Sequence, residues 1–287
     1  VFPDIYTYAP IAIYDSGVGG LTIAKAIKEI LPQESIHYIA DTKNLPYGDK
    51  TSVALCGYIA QVVNFCLSKR YKLLVIACNT ATAAADYFMA NYLKTIGHKM
   101  GIINVVDPVV RYIDGINRYN QVGLIGTKYT VSYGIYAKRF RATGITVTSL
   151  ATPLLVPMVE ASFNGKSVDH LLLDGYLNQI VSPNLDALIP ACTHYIFLEQ
   201  ALNFFLKKHF SKEIELIDPA KLTALAVQQL LSVHHLLNKT KKRLPDCFMA
   251  TALIPSFKNA IDKLFGQKPM AINLSDYTPF IDLTSLY

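Results

Sequence analysis

Leu73-Leu74-Val75-Ile76-Ala77-Cys78-Asn79-Thr80 is an apolar run that ends in a thiol followed by two small polar residues. Such a run reads as a buried strand of a parallel sheet, and the change of character at Cys78 marks its carboxyl end. Far along the chain, Ala187-Leu188-Ile189-Pro190-Ala191-Cys192-Thr193-His194 repeats the pattern. In open α/β sheets, ligands sit outside the carboxyl ends of the strands. Two thiols delivered this way suit a reaction that takes a proton from one face of a carbon and returns one to the other.

Outward from residues 73–80, strand-like and helix-like segments alternate. Strands are predicted over 11–14, 36–40 and 73–77, and helices over 21–31, 51–68 and 80–95. Three successive β-loop-α units are the pattern of a doubly wound parallel sheet. A second series is expected to begin near 102–106, with strands at 122–125, 145–150 and 185–189 and helices at 129–142, 168–180 and 195–208. Beyond it come one strand at 214–217 and helices at 220–237 and 256–265. This last third reads as a return to the first unit rather than as a third domain. The expected fold is α/β, with two doubly wound parallel-sheet domains, 1–104 plus 215–287 and 105–214.

With 287 residues and 52% hydrophobic content, the chain is long enough for two cores. Charged residues at 17% are too few for a disordered protein. No apolar stretch reaches the roughly 18–20 residues of a membrane span. Val1–Pro10 lacks a basic segment followed by an apolar one, which argues against secretion. Five cysteines without regular spacing or a CxxC pair argue against a disulfide framework and a zinc site. The expected location is the cytoplasm. The net charge of +6 is spread out. Its densest cluster, Lys239, Lys241, Lys242 and Arg243, reads as a solvated helix end or turn, and no nucleic-acid motif accompanies it.

The chemistry concentrates in loops at predicted strand ends. Asp15-Ser16-Gly17-Val18-Gly19-Gly20 permits a tight turn and offers free N–H groups where a helix starts at Leu21. It is neither GxGxxG nor a Walker loop, and it also reads simply as a turn whose Asp caps a helix. Asn44-Leu45-Pro46-Tyr47-Gly48 alone is a turn. Cys56, Cys66 and Cys247 read as inert small core residues. Cys78 and Cys192 differ because each meets a helix N-terminus, where the dipole favours thiolate. His194 beside Cys192 gives a thiol and an imidazole, a natural proton-handling pair. Glu160 reads equally as an exposed helix residue, and Thr127 and Thr130 read as helix caps or ligand contacts.

Taken together, Asp15-Ser16-Gly17-Val18-Gly19-Gly20-Leu21, Pro46-Tyr47-Gly48, Cys78-Asn79-Thr80-Ala81, Gly126-Thr127 with Thr130, Val156-Pro157-Met158-Val159-Glu160 and Cys192-Thr193-His194-Tyr195 resemble the glutamate racemases of the cofactor-independent aspartate/glutamate racemase superfamily. The ordered set spans about residues 11 to 220. Ile196 stands where a proline is common in the family, and residues 238–287 match weakly.

The resemblance implies an active site in the cleft between the two α/β domains, with Cys78 and Cys192 as the acid/base pair. It assigns Asp15 to assist Cys78, and His194 with the more distant Glu160 to assist Cys192. It also implies that Cys192 deprotonates the L enantiomer and Cys78 the D enantiomer. Asp15, Ser16, Tyr47, Gly48, Asn79, Thr80, Thr193 and His194 would hold the substrate. The implied enzyme is a cytoplasmic homodimer that uses no cofactor and no metal, binds glutamate, touches neither nucleic acid nor membrane, and supplies D-glutamate for peptidoglycan. Two other readings stay open: a sister racemase or isomerase acting on aspartate or another acid, and a non-catalytic two-domain ligand-binding protein.

Overall fold

The computed structural model describes residues 6–266 and 271–273, except 96, 98, 99, 181 and 241. Val1–Ile5, Lys241 and most of the weakly matching stretch Met270–Tyr287 lie outside the described residues.

Two sheets, both wholly parallel, organise the chain. The first contains β1 (Ile11–Asp15), β2 (Ile36–Ala40), β3 (Leu73–Ile76), β4 (Gly101–Asn104), β9 (Cys247–Ala250) and β10 (Ala271–Asn273) in the order β10-β9-β2-β1-β3-β4. The second orders β5 (Gln121–Gly126), β6 (Thr146–Ala151), β7 (Ala187–Ala191) and β8 (Glu215–Leu216) as β6-β5-β7-β8. β1, β3 and β7 are buried at every position, as strands covered on both faces must be. Alternation along β1 sends Ile11 and Ile13 into a core shared with the second sheet. Ala12 and Tyr14 point into a separate core under α2 (Ser52–Ser68) and α3 (Asn79–Thr95). In each sheet the order of strand addition reverses beside a central strand. β1 lies between β2 and β3, and β5 lies between β6 and β7. The two cysteine segments follow β3 and β7, so each thiol emerges at the switch point of its own sheet, where such folds bind ligands.

Several expectations differ from the structure. The segment near 102–106, read as opening the second series, is β4, and it pairs with β3 in the first sheet. It leads into an unforeseen helix, α4 (Val106–Ile116), whose start is hidden by Pro108. Proline is tolerated in a first helical turn, and Asn104 Oδ1 caps that turn by accepting from the N–H groups of Val106 and Asp107. The helix expected over 129–142 is two, α5 (Lys128–Tyr133) and α6 (Ile135–Phe140), because Gly134 sits between them at φ +68°. Residues 193–198 form a 3₁₀ turn before α9 (Glu199–His209) rather than one continuous helix. The short strand at 215–216 pairs with β7, so the boundary drawn between 214 and 215 falls inside the second sheet's territory. The return to the first sheet is made by α10 (Pro219–Val233), which packs on α1 (Leu21–Ile30), and by β9 beside β2. Lys242 lies over the Tyr8 ring and Arg243 pairs with Asp246, so this part of the basic cluster is a surface turn.

A buried ion pair secures β3. Lys72 and Glu34 are both buried, and the ammonium donates to the Glu34 carboxylate, to the Thr7 carbonyl at 2.6 Å and to the Leu236 carbonyl at 3.0 Å. Glu34 Oε1 also accepts from the Asn238 N–H at 2.9 Å. Four separate stretches of chain thus meet at the base of the strand that delivers Cys78. Lys72→Met would leave the Glu34 carboxylate buried without its counter-ion, and it should destabilise the fold by about 3–5 kcal/mol. Urea unfolding midpoints for Lys72→Met and for the double variant Lys72→Met/Glu34→Leu check this. The double variant should recover part of the loss.

Candidate active site

One cleft gathers most of the expected residues. Ser16, Tyr47, Gly48, Cys78, Asn79, Thr80, Cys192, Thr193 and His194 all line it, together with Thr127, Lys128, Thr152, Val156, Pro157 and Tyr195. It encloses about 90 Å³, against roughly 300–1,000 Å³ for a drug-sized pocket, which suits a small ligand. Its two walls are in close contact. A Cβ on Gly19 would lie 2.2 Å from Thr193 Oγ1, and one on Gly48 would lie 3.2 Å from Thr127 Cβ. Glycine at position 19 is therefore a steric requirement of bringing the two cysteine loops together.

Cys78 sits at the start of α3 and is buried. Its sulfur accepts from the Ala81 N–H at 3.5 Å, and its thiol points to Ser16 Oγ at 3.7 Å. The helix start does not prevail here. Burial, and after it the Asp15 carboxylate, push the thiol up to about 12, against the smaller opposing pull of the Ala81 N–H. Asp15 itself is fully buried and does not line the cleft. Its oxygens accept from the Gly17 N–H at 2.9 Å and from Thr193 Oγ1 at 3.1 Å. It acts on Cys78 through its charge rather than through a hydrogen bond, and it ties the first loop to the second.

Cys192 has a different neighbour. Its sulfur lies 3.8 Å from His194 Nδ1, and His194 Nε2 lies 2.9 Å from Glu160 Oε1. Burial favours the neutral imidazole, but the hydrogen bonds to Cys192 and Glu160 outweigh it and raise His194 well above its ordinary value. Burial likewise opposes the Glu160 charge, yet the bonds from His194 and Ser256 hold that carboxyl below its usual range. Glu160 lies half-buried on α7 (Leu155–Ser162), behind His194 and outside the cleft lining. The result is a thiol–imidazole–carboxylate row beside one cysteine and a bare carboxylate beneath the other.

The walls carry donors. Thr80 Oγ1 lies 2.8 Å from Thr127 Oγ1, which also caps α5 by accepting from the Thr130 N–H at 3.2 Å. Thr127, left open between cap and contact, is therefore both a helix cap and part of the wall. Asn79 Oδ1 accepts from Tyr136 at 2.8 Å, while its buried amide nitrogen has no partner among the described residues. A buried donor without an acceptor is costly, and a bound anionic group would satisfy it. Lys128 and Asp49 face each other at 3.8 Å across the mouth, both exposed. Thr152 carried no sequence signal, because its role arises only from contacts far along the chain. Cys66 is buried in the core, and Cys56 and Cys247 are half-buried; none of the three lines the cleft. Among the described residues, no cluster of three or more His, Cys, Asp or Glu side chains forms a metal site, and no helix is long and apolar enough to cross a membrane.

The two domains are each all-parallel α/β units with a thiol at the switch point. The chain is 34% identical over 235 residues to the glutamate racemase of Geobacter metallireducens, covering 81% of this chain and 84% of that one. It is 37% identical over 230 residues to that of Thermus thermophilus, covering 80% and 82%. The crystal structure of glutamate racemase from Francisella tularensis in complex with D-glutamate superposes with a TM-score of 0.82 at 29% identity, covering 97% of this chain and 99% of that one. No family model matches the chain. The chain belongs to the glutamate racemase family.

The raised His194 value depends on Glu160, which gives a direct check. Glu160→Gln keeps the shape but removes the charge, so His194 should lose its proton at a lower pH than in the parent protein. Histidine NMR titration, with His194→Asn used to assign the resonance, reads the midpoint. An unmoved midpoint would assign the raised value to Cys192 alone.

Proposed function

We propose that the protein interconverts L- and D-glutamate by proton transfer between Cys78, Cys192 and the substrate α-carbon. The observation that carries this reading is the pair of thiols on one cleft, each with its own buried charged partner. One thiolate removes the α-proton, and the opposite thiol protonates the carbanion from the other face. In the reverse direction the roles exchange. A thiol held high, as Cys78 is, remains a proton donor at neutral pH, and once ionised it is a strong base. Cys192, with His194 and Glu160 behind it, is the thiol that the family resemblance makes the base for the L enantiomer.

Substrate carboxylates need several donors to hold their charge and to stabilise the carbanion. Ser16, the backbone at Tyr47–Gly48, Asn79 Nδ2, Thr80, Thr127 and Thr193 supply them. Glutamate, rather than aspartate or another acid, is supported by the relatives named above and by the D-glutamate bound to the Francisella enzyme. The scheme uses neither cofactor nor metal. A cytoplasmic homodimer that supplies D-glutamate for peptidoglycan belongs to the same reading, by family membership.

Circular-dichroism assays on both enantiomers, with aspartate in parallel, test the activity. Cys78→Ser and Cys192→Ser should each lower turnover by roughly 10²–10⁴-fold, the usual worth of an acid/base group. Cys66→Ser should act on stability alone. Near-normal turnover in either cleft variant would remove that cysteine from the mechanism.

The different partners of the two thiols predict a directional effect. His194→Asn should lower kcat from L to D more than from D to L, and Asp15→Asn should do the reverse. The equilibrium constant is unity, so each asymmetry in kcat must be matched in KM. Initial rates from pure enantiomers measure both parameters. Equal kcat losses in both directions for both variants would mean that these residues hold substrate and do not tune a particular thiol.

A further inference from the structure

The stretch beyond β9, where the sequence resembles the family least, reaches both rims of the cleft within a few residues. Thr251 Oγ1 donates to Asp41 Oδ1 at 2.8 Å and accepts from the Lys43 N–H at 2.9 Å. Thr42 Oγ1 donates to the Ala252 carbonyl at 2.5 Å and accepts from the Ala252 N–H at 2.9 Å. Asp41 is buried, and its carboxylate also takes the Asn44 amide at 2.9 Å and the Tyr47 hydroxyl at 2.5 Å. Tyr47 in turn meets the Tyr14 hydroxyl. Asp41 is thus the hub under the Tyr47–Gly48 rim, and Thr251 is its fastener from the far end of the sequence.

The other rim is held from the same stretch. Ser256 is buried in the first turn of α11 (Pro255–Phe265), where it helps to hold the Glu160 carboxyl down. One turn on, the Asn259 amide donates to the Phe163 carbonyl at 3.1 Å, at the end of the helix that carries Glu160. Glu160 otherwise faces the His194 imidazole and, past Gly17, the Tyr38 phenol. No other ionisable group of the described residues acts appreciably on it.

We propose that residues 251–256 are a positioning element of the racemase site, with Thr251 setting the substrate-binding rim through Asp41 and Ser256 setting the Glu160–His194 row behind Cys192. Neither side chain touches substrate. This inference rests on the racemase reading above. It assigns to the least family-like part of the chain a role in both substrate binding and proton handling.

The two halves predict different kinetic signatures. Thr251→Val keeps the shape but removes the hydroxyl from Asp41, which loosens the rim. KM should rise roughly 5–20-fold in both directions with kcat nearly unchanged, the effect of one lost hydrogen bond to a charged group on substrate binding. Thr251→Ser should restore it. Ser256→Ala withdraws a donor that lowers Glu160, so the acid limb of kcat/KM should move to higher pH. Ser256→Thr should move it back. Thermal melting of each variant is read alongside. Variants that melt earlier yet keep the parent KM and pH limb would overturn the proposal, and so would equal changes in kcat and KM for both substitutions. A parent chain that does not racemise glutamate would end both this inference and the function proposed above. An active parent with indifferent variants would end only this one.

Discussion

In the proposed reaction, two buried thiols in one small cleft must hold opposite protonation states for a proton to cross the carbon between them. Everything else in the site is arranged around that constraint. Water would ionise either thiol with little preference, because a free thiol titrates near about 8.5. Burial removes that indifference and makes charge placement decisive. Burial and the carboxylate below Cys78 raise that thiol, and a protonated imidazole stands beside Cys192. The asymmetry of partners gives a symmetric reaction two distinct halves.

The fold supplies this arrangement by using one rule twice. Each parallel sheet ends a fully buried strand at its switch point and starts a helix or 3₁₀ turn directly after the cysteine. The loops must then approach to van der Waals contact, which Gly19 permits and which the Thr193–Asp15 hydrogen bond locks. Because Asp15 holds Thr193 while it opposes the Cys78 thiolate, one carboxylate serves both cohesion and electrostatics. Loss of its charge therefore acts on both loops at once.

Much of this was legible in the sequence because parallel strands announce themselves as unbroken apolar runs with polar ends. The resemblance of the loop motifs then pointed to most of the side chains that line the cleft, though not to Lys128 or Thr152. What stayed hidden has physical reasons. α4 was masked by Pro108, whose tolerance depends on its place in the first turn. The break at Gly134 needs a left-handed backbone that a helical pattern does not reveal. β9 and β10 are short and lack a flanking pattern. The helix-start argument correctly located Cys78 but misjudged its ionisation, because burial depends on tertiary packing. Asp41, Thr152 and Ser256 escaped notice because each matters only through partners distant along the chain, such as Thr251 for Asp41.

The central claim is that two separate bases act on opposite faces. The most direct measurement is racemisation of each glutamate enantiomer in D2O, followed by the α-proton NMR signal of both substrate and product at low conversion. Two thiols that do not share a proton pool should give product fully deuterated at the α-carbon, while the remaining substrate keeps its proton. Deuterium appearing equally in recovered substrate and product from the first turnovers would mean a single exchanging base, and it would contradict the account.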